Sequence, residues 1–366
     1  MSEAIASPDL RSVQDSVEPA PPARTEIGEW KKVVADFEKP SVWRATWQLA
    51  STLSCYLATW TAIYFAREVS YLLVLPLVLL ASGFLIRLFI IFHDCCHHSF
   101  YKKKGLNQWL GFFTGVLAFT PFKHWRWEHS VHHATSGDLD RRGVGDVWTL
   151  TVKEYMELSR WDRIVYRMVR NPVILFGIAP VYIFIVRERR SSPQANQMTR
   201  KTVKLTNLAL LCMIIIGCLI FGILPYILLQ IAIMAGAASA GVWLFYIQHQ
   251  FEGVYWERHE HWEYTSAALE GSSFYRLPRV LQWFTGNIGY HHIHHLSSKI
   301  PNYNLEACHN SHPAFIRIKP VTMFSSFKSL GYRLWDETDK VLVGWRRMRE
   351  IRRVQEEAAA ANPSVG

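Results

Sequence analysis

YLLVLPLVLLASGFLIRLFIIFHDCCHH, residues 71–98, is the stretch on which the fold turns. From Tyr71 to Phe92 it is apolar except for Arg87, and a helix needs about 20 such residues to cross a bilayer core. It then ends abruptly in His93-Asp94-Cys95-Cys96-His97-His98, which places imidazoles where the apolar run stops. A membrane helix that finishes in potential metal ligands is the first expectation.

Three other runs resemble the first part of that stretch. Trp47–Ala66, Leu205–Leu224 and Tyr226–Gln248 carry no charge, and short connections join them in pairs. The expected fold is an all-α integral membrane protein with four transmembrane helices in two hairpins, at 47–66, 71–92, 205–224 and 226–248. Composition agrees: 19% of the 366 residues are charged, against about a quarter in soluble domains. Trp109–Phe122 and Pro172–Val186 are too short to span comfortably and read as re-entrant or interfacial segments; a fifth span is the other reading of the second. Residues 1–28 have no apolar core, so they read as a disordered cytosolic tail rather than a signal or transit peptide. Residues 29–345 then form the membrane domain, and 346–366 a basic helix with a disordered end.

With the N-terminus in the cytosol, the outer connections are Arg67-Glu68-Val69-Ser70 and a turn at Pro225. Of 40 Lys and Arg, all but Arg67 and Arg87 then lie inside. That asymmetry accounts for the net charge of +10, and no nucleic-acid motif is present. The run Arg346–Arg353 suits a surface helix near lipid headgroups. Six scattered Cys without a C-x-x-C exclude a zinc ribbon or iron–sulfur site and point to a reducing compartment.

Ten of the 16 histidines fall in three short windows, 93–98, 129–133 and 291–295. His93 and His97 are i, i+4; His129, His132 and His133 are i, i+3, i+4; His291, His294 and His295 repeat that pattern. Residues three and four apart share a helix face, so each window aims two or three rings at one volume. All three windows lie at the same membrane boundary. Eight imidazoles exceed the needs of one ion and call for two. Without thiolate ligands, and beside a lipid-facing cavity suited to oxygen chemistry, iron is favoured over redox-inert zinc.

These residues resemble the membrane fatty acid desaturases, and within them the acyl-lipid Δ12 (omega-6) type. The resemblance runs from about Trp43 to Phe315. It rests on His93-Asp94-Cys95-Cys96-His97, His129-Ser130-Val131-His132-His133, Gly286-Asn287-Ile288-Gly289-Tyr290-His291-His292-Ile293-His294-His295 and the tail Leu296–Leu305. It implies a cytosolic helical cap holding two iron ions, and a reaction that uses oxygen and two electrons to place a cis double bond in a long acyl chain. It also implies ligands at His93, His97, His129, His132, His133, His291, His294 and His295, with His249 after the last span as a ninth. One family branch has an Asn ligand where this chain has Phe245; Asn287 is the candidate replacement. His98 and His292 are extra histidines read as lying just outside the ligand set.

Metal-bound imidazoles are usually oriented by carboxylates. Asp94, Glu128, Asp138, Asp140 and Asp146 are near enough in sequence, while a solvated loop is the plainer reading of Asp138–Arg142. Phe119–Trp127 and the span ending at Tyr246 are candidate walls for the acyl chain. The small residues Ala235–Gly241 read as close helix packing before a channel. His124, His259, His261, His309 and His312 read as interfacial, cap or surface residues. Nothing in the chain supplies electrons, and His312-Pro313 is not followed by the two glycines of a haem signature. A separate ferredoxin or cytochrome b5-like donor is implied, for which Lys102, Lys103, Lys104, Arg141 and Arg142 would make a basic dock. The substrate is a membrane lipid or an acyl thioester. Two rival readings stand: a di-iron hydroxylase or alkane-type monooxygenase with similar boxes, and a metal transporter, which would need ionisable groups along its spans.

Overall fold

The computed structural model describes residues 30–192 and 195–361. The expected N-terminal tail and residues 362–366 lie outside the described residues. A short helix α1 (Trp30–Ala35) leads to α2 (Val42–Val69), whose first turn is capped by the Ser41 hydroxyl accepting from the Arg44 N–H. Ala45, Gln48, Thr52, Tyr56, Thr59 and Ile63 recur at three-four spacing on α2, and that stripe is its buried face. Ser70 ends α2, and its side chain accepts from the Leu72 N–H to start α3 (Tyr71–His97), so the two helices fold back on a single residue. The span expected to stop at Phe92 runs on unbroken to His97, making His93 and His97 part of its last turn. Arg87 is buried. Its Nε donates to Thr52 Oγ1 at 3.1 Å and its guanidinium lies 4.0 Å from the Trp283 ring, which is how a charge is tolerated there.

The run Trp109–Phe122, expected to be re-entrant, forms the end of α4 (Lys104–Leu117) and the reversal through Phe119, φ 56°, that leads into α5 (Phe122–Thr135). The reversal is tight: a Cβ on Gly115 would meet the Thr120 carbonyl oxygen at 2.5 Å. Gly115→Ala is expected to cost about 1–3 kcal/mol, read as a lower unfolding midpoint in detergent; an unchanged midpoint would count against so close a turn.

After α6 (Val152–Glu157) and α7 (Arg160–Val169), a π-helical turn at Ile174–Ile178 passes into α8 (Ala179–Ile185). The expected segment 172–186 falls here. Arg160–Val169 and Ile174–Arg189 meet at 57°, which makes the pair a broken span or a re-entrant loop. The second hairpin is α9 (Gln197–Phe221) and α10 (Ile223–His249). Its turn is at Gly222, φ 86°, not at Pro225 as expected. Glycine enters that left-handed region without a Cβ clash, whereas Pro225 sits in the first turn of α10, where a missing N–H costs nothing. Arg67 donates to the Phe221 carbonyl at 2.6 Å, filling an orphan acceptor at the end of α9 and joining the hairpins there.

Helices α3, α9 and α10 are long and apolar enough to cross a membrane, and the bent pair would be a fourth. The expected first span, within α2, is less apolar than these because Ser and Thr recur along it. Its 28 residues still reach about 42 Å at 1.5 Å each. It lies along α3 with Trp43, Trp47, Leu57 and Phe65 exposed on its outer side.

Beyond His249 the chain builds a cap: α11 (Tyr264–Leu269), β1 (Phe274–Arg276), α12 (Arg279–Phe284), α13 (His291–Leu296), α14 (Asn302–His309), α15 (Pro313–Ile316), β2 (Pro320–Thr322), α16 (Met323–Ser326), β3 (Leu334–Asp336), β4 (Val341–Val343) and α17 (Trp345–Ala361). The strands are small additions to a mostly helical fold. β1 pairs in parallel with β2, Phe274 opposite Pro320, and β3 antiparallel with β4, Leu334 opposite Val343. The basic helix α17 is anchored by Met348 and Ile351, which pack with Tyr155 and Val343. Helix α3 threads two cores: Leu88 and Ile91 belong to the bundle, Ile90 to the cap core with Ile293 and Leu305. The histidines gather where these cores meet.

Candidate metal centre

Four elements deliver nine rings to that junction. His93 and His97 come from the last turn of α3, and His129, His132 and His133 from α5. His249 is the final residue of α10, and His291, His294 and His295 lie on α13. They divide into two groups, His93–His97–His129–His133–His294 and His132–His249–His291–His295, with the nitrogens of each group within 4.8 Å of one another. The two H-x-x-H-H segments exchange their middle member. His129 and His133 serve one group while His132 serves the other; His291 and His295 serve the second while His294 serves the first. A three-residue step and a four-residue step differ by about 100° around a helix, so each segment faces both volumes at once.

Nε2 of His133 lies 3.1 Å from Nε2 of His129 and 3.0 Å from Nε2 of His294. Nε2 of His249 lies 3.1 Å from that of His132 and 3.0 Å from that of His291. Metal–nitrogen bonds of about 2.0–2.1 Å produce ligand–ligand edges of about 3 Å. The outer nitrogens fix the proton positions. His132 Nδ1 donates to Asp146 Oδ1 at 2.6 Å, and His249 Nδ1 donates to the Gly271 carbonyl at 3.3 Å. With Nδ1 engaged in this way on both rings, their Nε2 atoms face each other, an arrangement that a cation between them would satisfy. His97 Nε2 and His295 Nε2 are buried without any partner, as unfilled ligand atoms would be. Burial first, and neighbouring rings second, push His129, His133, His291, His294 and His295 well below the usual imidazole range. They are neutral near pH 7 and thus competent to ligate. The residues present fit a pair of metal ions.

The acids singled out in the sequence separate clearly. Asp146 holds His132, and Asp94 Oδ1 lies 3.3 Å from His93 Nδ1. Glu128 instead pairs with Arg187 at 2.5 Å. Asp138 binds Arg141 and His259, and Asp140 binds Arg258 and the His259 N–H. His98, at φ 58°, caps α3 and lies outside both groups. His292 turns away: its Nε2 meets His309 Nδ1 at 3.0 Å, and burial takes the two rings down to about 3 and about 4. Asn287 donates to the Asn302 carbonyl at 3.4 Å and belongs to neither group. Phe245 covers the second group, its ring 5.0 Å from His132 and 5.3 Å from His249.

Asn302 is a residue the sequence reading missed. Its N–H and side-chain amide donate to Asp94 Oδ2 at 2.7 and 2.8 Å, and its own Oδ1 accepts from Gln48. It links α2, α3 and α14 behind His93; the quoted tail contained it, but spacing gave it no role. Asp146→Asn, which keeps the shape and removes the charge behind His132, is expected to cost about 10–100-fold in metal affinity or turnover, checked by iron titration and product yield; wild-type values for both would contradict it.

A cavity of about 510 Å³ opens onto both groups through His93, His129 and His291. Its walls are mostly apolar: Leu85, Phe89, Trp125, Phe184, Met234 and Leu244 among others. Ala237, Ala238 and Gly241 also line it, so the small-residue run of α10 forms a channel wall. Packing is the role of one member, Gly236, where a Cβ would meet Ser82 Oγ at 2.6 Å.

Apolar helices that end in two histidine groups over an apolar cavity define a membrane protein with a paired site able to hold metal. The chain belongs to the fatty acid desaturase family, whose model, Fatty acid desaturase, matches residues 69–327. A fatty acid desaturase of Bacillus subtilis is 48% identical over 87% of this chain and 91% of its own length. More distant relatives include two Synechocystis proteins. An sn-1 oleoyl-lipid 12-desaturase is 26% identical over 61% of this chain and 63% of its own length. An sn-1 acyl-lipid omega-3 desaturase (ferredoxin) is 26% identical over 63% and 65%.

Proposed function

We propose that the protein is an oxygen-dependent, di-iron acyl desaturase whose nine histidines hold the metals as groups of five and four. The observation that carries this reading is the apolar cavity that leads to both groups. Bound iron would supply the oxidant: one O2, two electrons and two protons together with two hydrogens from adjacent methylenes give two waters and a double bond. The chain's own residues do the rest. Leu85, Phe89, Met234 and Leu244 exclude water, and the narrow walls of α10 and Trp125 hold the chain so that one carbon pair faces the metals.

The finer proposal is insertion at Δ12 of a monounsaturated chain. The histidine-box resemblance and the 12-desaturase relative support it, although the omega-3 relative is equally similar. The positive-inside pattern supports a cytosolic site. The electron donor is a separate ferredoxin or cytochrome b5-like protein, and one relative's name includes ferredoxin. Arg141 and Arg142 of the expected dock are occupied by Asp138 and Glu154, while Lys102, Lys103 and Lys104 remain exposed. A metal transporter is disfavoured because the histidines collect at one end of the spans.

Expression in a host that makes only monounsaturated chains, with a donor supplied, tests the reading by fatty acid profiling. A diene with its new double bond at carbon 12 is the expected product. A double bond elsewhere would overturn only the position, and a hydroxylated chain would favour the hydroxylase. An unchanged profile from iron-loaded protein would overturn the function.

A further inference from the structure

We propose that Asn302 is a positioning residue for the five-ring group: acting through Asp94 it holds His93, and it makes this group the tighter of two unequal metal sites. The proposal rests on the di-iron reading and goes beyond it, since nothing in that reading requires the two ions to be held differently.

Asp94 follows His93 on α3 and is 1% exposed. A carboxylate that deep needs donors to replace its lost hydration. Its Oδ2 takes two from one residue, the Asn302 N–H at 2.7 Å and the Asn302 side-chain amide at 2.8 Å. Asn302 is the first residue of α14, and Pro301 before it supplies no side-chain cap. Asp94 therefore fills an orphan N–H at a helix start, where negative charge is favoured. Asn302 is itself pinned. Its Oδ1 accepts from Gln48 Nε2 at 3.1 Å, and its carbonyl accepts from the Asn287 amide at 3.4 Å. With Oδ2 held from two sides, Asp94 presents Oδ1 to His93 Nδ1 at 3.3 Å. A carboxylate fixed in this way sets the direction in which the Nε2 of the ring points. Gln48, Asn302 and Asp94 are all buried, so water does not compete for these bonds.

The four-ring group is backed differently. Asp146 stands behind His132 from a loop, and its side chain is 18% exposed. Its Oδ2 accepts from the Gly143 N–H at 3.2 Å, and Gly143 is exposed, at φ 118°. His249 Nδ1 meets neutral oxygens, the Gly271 carbonyl at 3.3 Å and Ser136 Oγ at 3.4 Å. Five rings with a buried, doubly held carboxylate thus stand beside four rings with a loop carboxylate. Partners of this kind are worth about 10–100-fold in metal affinity.

The test titrates the metal-free full chain in detergent with iron(II), oxygen excluded. The wild type is expected to bind in two steps whose affinities differ at least about tenfold. His132→Ala leaves the five-ring group complete and His294→Ala the four-ring group, so each variant reports one site. Asn302→Ala should weaken binding about tenfold in the His132→Ala chain and leave it unchanged in the His294→Ala chain. Once Asp94→Ala is present with His132→Ala, Asn302→Ala should add nothing, because two residues that act in series are not additive. A merely structural Asn302 would weaken both sites alike, and that result would overturn the proposal. Two wild-type steps of equal affinity would also overturn it, and that comparison decides even if a multiple variant fails to fold. Two irons bound unequally without formation of a double bond would overturn the desaturase reading alone. A wild type that binds no iron would overturn the paired site beneath both.

Discussion

Purified with alanine at position 294, the protein is expected to hold no more than one iron per chain and to form no detectable double bond. His294 Nε2 lies 3.0 Å from His133 Nε2 within the five-ring group, so on the proposed assignment the substitution removes a ligand and leaves a gap in a buried polar shell. Losing an outer partner of a ligand already costs about 10–100-fold, and losing a ligand should exceed that. His132→Ala should act in the same way on the four-ring group, because His132 bridges Asp146 and His249. His292→Ala is the control. It lies in the same box and is just as buried, yet its ring bonds to His309, so stability should fall while iron content holds. Iron analysis and product profiling on the three variants check this. Equal iron loss in all three would mean that burial, not ligation, governs the effect.

Gly241→Phe is expected to reduce turnover of long chains by about 100-fold, the cost of displacing a substrate by roughly 1 Å, while leaving two irons in place. A Cβ at Gly241 meets nothing within 4 Å, and the residue lines the cavity, so a ring there enters empty space without straining the helix. The opposite holds five residues earlier, where any side chain at Gly236 collides with Ser82 on α3. Normal turnover in Gly241→Phe would show that the cavity is not the acyl slot. Loss of iron along with turnover would point to misfolding instead.

The helices of the membrane bundle were legible because apolar runs and i, i+4 imidazole spacing are local properties. His93 with His97, His129 with His133 and His291 with His295 each keep the pairing that a single helix dictates. The exchange of His132 and His294 between groups was not legible, because it depends on how α5 and α13 dock, and spacing says only that a third ring points elsewhere. The partners of the acids were hidden for the same reason. Asp138 and Asp146 are eight positions apart in one loop, yet only Asp146 meets a ligand ring. Pro225 drew attention as a breaker, while Gly222 made the turn, since proline is harmless in a first helical turn and glycine is needed at φ 86°. Small residues such as Ala237, Ala238 and Gly241 serve close packing and channel walls alike, and only the position of α8 across from α10 separates the two.

The proposed function depends on nine imidazoles caging two metals as five and four. Anomalous scattering at the iron edge from crystals of the intact protein measures that directly. Two peaks are expected, one at about 2.0–2.2 Å from nitrogens of His93, His97, His129, His133 and His294, the other equally close to those of His132, His249, His291 and His295. A single peak, or two whose ligands divide the rings differently, would contradict it.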